Sequence, residues 1–154
     1  MKILVLGNSN LFQKKVYPGL KKIKNIDIEI ASKRKVEKNF KIKKTYNSYN
    51  KAINNTTAKI VYISLINSMH FYWALKSLKK DKHVIIDKPF TINYDQTQKL
   101  IELASSKNLF LSEAIVFQKH KRFIKLFSKI DFKKPIRVIS KFHIPKLKYR
   151  NFRN

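Results

Sequence analysis

Cysteine is missing from all 154 residues, which excludes disulfides, thiolate nucleophiles and thiolate metal sites. A cytosolic (cytoplasmic) protein is the simplest expectation. The four histidines, His70, His83, His120 and His143, lie far apart without paired ligand spacing, so no metal site is expected. No Gly-x-Ser-x-Gly or triad pattern occurs. Glycine appears only at Gly7 and Gly19, so any phosphate loop has at most one of the usual three glycines. No apolar run approaches the ~20 residues that span a bilayer, and the apolar Lys2-to-Gly7 start is too short and strand-like for a signal peptide. Acidic residues are scarce as well, nine against 35 Lys and Arg, for a formal charge of +26.

That charge invites a nucleic-acid reading, but its make-up weakens it. Thirty of the basic residues are lysine and five are arginine, a bias that AT-rich coding produces. The lysines are spread over every predicted surface, and no recognised binding motif accompanies them. A specific nucleic-acid-binding role is the least favoured reading, and low-salt sticking is the expected consequence. Hydrophobic residues make up 44% of the chain, enough for a core, and the length holds one domain and a fragment of another.

The organising stretch is Lys59 to Phe90. Ile60 to Leu65 is a β-branched apolar run that reads as a buried parallel strand. Met69 to Lys80 carries Met69, Trp73, Leu75 and Leu78 at roughly helical spacing, with lysines at its far end. His83 to Ile86 is a second strand, stopped by Asp87-Lys88-Pro89. Strand, helix and strand make a βαβ unit, and such units place binding groups where strands end. Those ends hold Ser64, Leu65, Asn67 and His70 on one side, and Asp87, Lys88 and Pro89 on the other.

The chain opens with a strand ending at Gly7, followed by Asn8-Ser9-Asn10-Leu11 and a helix expected over Phe12 to Ile23. Against G-x-G-x-x-G, Ser9 takes the second glycine position and Phe12 the third. A small polar Ser9 retains a hydroxyl that can donate to phosphate. Ile26 to Ser32 reads as the second strand, and it ends in Ala31-Ser32-Lys33-Arg34. An NAD site usually has an acid there for the ribose 2′-hydroxyl. A hydroxyl and two cations suit a 2′-phosphate instead, so NADP is expected and NAD is less favoured; a solvated basic turn is the bland alternative.

Further along, Val36 to Phe40 is read as a short helix, Ile42 to Tyr46 as a strand and Tyr49 to Ile53 as a helical turn. Asn93 to Lys107 is amphipathic, with Leu100, Ile101, Leu103 and Ala104 as its stripe and Thr91 or Asn93 as cap. A strand is expected at Leu109 to Leu111, a helix at Arg122 to Ile130 and a strand at Ile136 to Ile144.

Asn67 and His70 at their spacing, Trp73-Ala74-Leu75, Lys82-His83-Val84 and Asp87-Lys88-Pro89 together resemble the Gfo/Idh/MocA oxidoreductases. That family pairs Pro-Asn-x-x-His with Glu-Lys-Pro; here Ile66 replaces the proline and Asp87 the glutamate. Glu113-Ala114 and His120 also match its pattern.

The resemblance implies an α/β protein with a Rossmann-type doubly wound parallel sheet over residues 1–118. A truncated start of an α+β substrate domain follows over 119–154. It implies a nicotinamide dinucleotide cofactor, a sugar or polyol substrate, and Lys88 as the catalytic residue beside nicotinamide and substrate. Members have a glycine-rich segment and a helix bearing catalytic Asp and His after the point reached at Asn154. The expected function is therefore the NADP-binding half of such an oxidoreductase, with a second chain as one source of the missing domain. The alternative is a stand-alone nucleotide-binding or partner module without catalysis.

Overall fold

Short apolar strands pair into one sheet in the computed structural model, which describes residues 1–37, 39–115, 117, 120–141 and 143. The strands are β1 (Lys2–Leu6), β2 (Asp27–Ala31), β3 (Lys44–Tyr46), β4 (Ile60–Ile63), β5 (His83–Ile86) and β6 (Leu111–Glu113). All pairings are parallel and the order is β3-β2-β1-β4-β5-β6, the doubly wound arrangement. Helices α2 (Tyr49–Asn55), α3 (Asn67–Lys79) and α4 (Tyr94–Ser106) connect successive strands.

Period-2 alternation sends the side chains of β1 to two separate cores. Leu4 and Leu6 pack with Val61, Ile63, Trp73, Leu78 and Leu100 under α2, α3 and α4. Ile3 and Val5 pack with Ile28, Ile30, Tyr62, Phe12 and Tyr17 on the other face. A strand covered on both faces cannot alternate with polar residues, which is why KILVL is apolar throughout its buried part.

Several expected elements differ. After β1, the helix is π-helical over Phe12–Val16 and then a single α-helical turn, α1 (Tyr17–Leu20). Pro18 brings no N–H to the ladder at that junction, and wide turns tolerate such a break. The described residues of 35–41 form no helix. Their apolar side chains instead cover the second core: Phe40 stacks on Tyr17 with centroids 4.1 Å apart, and the Lys41 N–H donates to the Tyr17 hydroxyl at 2.6 Å.

The last sheet strand begins at Leu111 rather than Leu109 because Leu109 belongs to the cap of α4. Asn108 takes φ +52° and the Leu109 N–H returns to the Ala104 carbonyl at 2.8 Å. Asn93 caps the other end of α4, accepting from the Gln96 N–H at 3.0 Å.

By contact the chain divides into two units, Met1–Val116 and Phe117–Asn154. The second unit contains α5 (Lys121–Phe127), shorter than expected, and a row of aromatic rings formed by Phe117, Phe123, Phe127 and Phe132. No strand forms over 136–141, and Ile136, Val138 and Ile139 are exposed; positions 142 and 144 of the expected strand lie outside the described residues. A strand without a partner leaves its backbone groups unpaired, so alternation alone does not produce one.

Candidate functional site

Three strand ends meet at the carboxyl edge of the sheet. The first is Gly7, with φ +99°. A Cβ at this position would lie 2.2 Å from the Ser64 carbonyl oxygen, so only glycine lets the loop after β1 turn this close to the end of β4. The Gly7 N–H donates to the Ala31 carbonyl at 2.8 Å, which fixes the loop against the end of β2 as well. Beyond it, Ser9 Oγ accepts from the Phe12 N–H at 3.0 Å. The amides of Ser9, Asn10 and Leu11 have no protein acceptor among the described residues.

At the end of β2, Ser32 Oγ accepts from the Arg34 N–H at 2.9 Å and curls the chain so that Lys33 and Arg34 follow in a tight turn. Gly7, Asn8 and Ser9, with Ser32, Lys33 and Arg34, line a cleft of about 260 Å³ closed by Ser64 and Leu65. Tyr49, Ile66 and Met69 complete the lining. Sequence reasoning took Tyr49 for a structural residue and Met69 for helix core. Tyr49 stands at the first turn of α2, its ring edge-on to Trp73 at 5.1 Å. Burial pushes its phenol above the usual value, offset by a hydrogen bond with the Lys33 backbone and the Arg34 charge.

The turn after β5 is anchored at several points. Asp87 is buried, and its carboxylate accepts from the Tyr62 hydroxyl and, at 2.6 Å, from Ser64 Oγ. Burial and this bond hold the Tyr62 phenol far above its ordinary pKa, so it stays a donor. His70 is fully buried, with Nδ1 2.7 Å from the Pro89 carbonyl and Nε2 3.1 Å from the Leu65 carbonyl, tying the end of β4 to this turn. Glu113 accepts from the Phe90 N–H at 2.7 Å. Lys88 is exposed between these anchors, joined to Pro89 by a cis peptide bond.

Of the residues expected at a site, Gly7, Asn8, Ser9, Ser32, Lys33, Arg34, Ser64 and Leu65 share one cleft. Asp87 joins it through Ser64. Asn10, Leu11 and Asn67 are exposed outside its lining, as is Lys88. His70 faces backbone carbonyls in the interior.

The family model of the oxidoreductases with an NAD-binding Rossmann fold, GFO_IDH_MocA, matches residues 1–115. The chain belongs to this family. Among its relatives, the D-xylose 1-dehydrogenase (NADP(+)) of Hypocrea jecorina is 39% identical over 72 residues, 47% of this chain and 18% of that protein. The dTDP-3,4-didehydro-2,6-dideoxy-alpha-D-glucose 3-reductase of Saccharopolyspora spinosa is 38% identical over 74 residues, 48% of this chain and 22% of that protein.

Among solved structures, KijD10, a 3-ketoreductase of Actinomadura kijaniata crystallised with NADP and TDP-benzene, superposes with a TM-score of 0.77 at 22% identity. That match covers 83% of this chain and 41% of KijD10, and it supports the fold alone. The chain thus spans less than half the length of each of these proteins. The matched residues, which the family model describes as an NAD-binding Rossmann fold, contain the whole parallel sheet. Among the described residues no helix is long and apolar enough to cross a membrane.

Proposed function

We propose that this chain is the NADP-binding half of an oxidoreductase that acts on a sugar or polyol. The observation that carries the reading is the chemistry of the cleft. Ser32, Lys33 and Arg34 line it where β2 ends, and among the described residues no carboxylate lines it. A ribose 2′-hydroxyl is read by an acceptor, whereas a 2′-phosphate is read by donors and cations. The residues present fit the phosphorylated cofactor. The Gly7 turn and the free amides of the following loop suit its pyrophosphate. A relative named for NADP(+) and a sugar supports the same reading.

When bound, the cofactor gives or takes the hydride. This chain's own part is to hold it and to present Lys88. The anchors on Asp87, Pro89 and Phe90 fix the turn that carries this ammonium, which polarises a substrate oxygen or holds a proton there. Further catalytic groups come from a substrate domain, in the same chain or supplied by a second one.

Calorimetric titration tests the cofactor assignment. NADP should bind at least about tenfold more tightly than NAD, and Arg34→Asp should reverse that order. Equal affinities, or NAD preferred in the unaltered protein, remove the assignment.

A further inference from the structure

The hydroxyl groups beneath the cleft form a chain with only one consistent direction. Asp87, as a carboxylate, only accepts. Its Oδ1 takes the Tyr62 proton and its Oδ2 takes that of Ser64, at 2.6 Å. With its single proton committed, Ser64 Oγ meets Ser9 Oγ at 2.6 Å as an acceptor, so Ser9 is the donor of that bond. Ser9 Oγ in turn accepts from the Phe12 N–H at 3.0 Å. Every proton in the row therefore points inward, towards Asp87. Ser9 lines the cleft at the second glycine position of the phosphate loop, yet its proton is committed to Ser64.

We infer that Asp87 is a positioning residue that sets the hydrogen-bond direction of the dinucleotide loop, holding the Ser9 hydroxyl as an acceptor towards the loop and a donor towards the protein interior. The inference rests on the reading of this cleft as a dinucleotide site. It means that the loop amides, rather than the Ser9 hydroxyl, are left to meet the pyrophosphate.

Two substitutions break the direction in different ways. Asp87→Asn presents an NH₂ group to Ser64 while its carbonyl keeps the Tyr62 proton. The opposite amide orientation would leave that proton facing another donor. Ser64 then accepts from Asn and gives its own proton to Ser9. Ser9 Oγ accepts twice, and its proton is released towards the cleft. Ser64→Ala removes the acceptor of the Ser9 proton and frees it too, while leaving the Asp87 charge in place.

The test is titration of the 154-residue protein with NADP and with NAD. Each of Asp87→Asn and Ser64→Ala should tighten binding about fivefold, because a donor to an ionised phosphate has been gained. The gain should be the same for both cofactors, since both carry the pyrophosphate. It should vanish when Ser9→Ala is added to either variant. A gain that persists without Ser9 means that charge or general loosening is responsible, and it overturns the inference. So does the absence of any gain in both variants. If one variant does not fold, the other decides.

If the unaltered protein binds neither cofactor, the cofactor reading fails by itself. The urea midpoint then judges the hydroxyl chain. Ser9→Ala orphans the Phe12 N–H in either background, but it should cost more with Asp87→Asn, where it also orphans the buried Ser64 donor, than in the unaltered protein, where it also orphans a Ser64 acceptor lone pair. Equal costs would overturn the inference without reference to any ligand.

Discussion

The two glycines of this chain put one residue type in opposite situations. Gly7 combines φ +99° with a would-be Cβ 2.2 Å from the Ser64 carbonyl oxygen. Gly19 sits in α1 with nothing within 4 Å of its would-be Cβ. A side chain at position 7 meets backbone rather than the yielding end of a side chain, so the loop or β4 must shift. Gly7→Ala should cost about 3 kcal/mol or more, counting backbone strain and displacement of the strand end. Gly19→Ala should stabilise by about 0.4–1 kcal/mol, since it removes freedom only from the unfolded chain. Urea denaturation of the two variants side by side checks both signs. A tolerated Gly7→Ala would mean that the close approach of loop and strand is not required.

Among the elements, α3, α4 and the central strands were legible because each buries a face large enough to impose its period on the sequence. Trp73, Ala74 and Leu78 mark the buried side of α3, and Leu100 and Ala104 that of α4. The segment around Val36 and Phe40 was misread because its apolar residues serve tertiary packing on Tyr17 without any repeating local period. Most of the cleft lining was legible for a related reason. Gly7 and the Ser32-Lys33-Arg34 turn follow directly from strand ends, whereas Tyr49 reaches the cleft from α2. The link from Asp87 through Ser64 to Ser9 spans 78 positions, and no local pattern announces it. The expected strand beyond Pro135 failed because alternation describes a face without supplying a neighbour to cover it. Exposed chain without ladder bonds is the preferred substrate of proteases. Limited trypsin treatment should therefore cut first among Lys133, Arg137 and Lys141, before any site in 1–116. Mass spectrometry of the early products reads the order, and first cuts inside β1–β6 would contradict it.

At the scale of the whole molecule, this chain contains the candidate cleft and a cationic turn but covers only 41% of the length of KijD10. Hydride transfer requires the reacting carbon to be held against the nicotinamide, and such positioning provides a large part of the rate, about 7–11 kcal/mol in favourable cases. Lys88 is exposed, so water screens what its charge offers a developing alkoxide. The 154-residue protein should therefore bind NADP while oxidising sugars or polyols very slowly or not at all. Steady-state assays with a panel of aldoses and polyols, followed at the absorbance of reduced nicotinamide, measure this. Supplying the substrate domain of a family relative, fused after Asn154 or as a second chain, should raise turnover by orders of magnitude. Lys88→Ala in that complemented protein should then remove most of the gain, about 10²-fold or more, with little change in NADP affinity. A loss confined to NADP binding would make Lys88 a cofactor ligand. Efficient turnover by the 154-residue protein, free of contaminating enzyme, would place the active site elsewhere on this sheet.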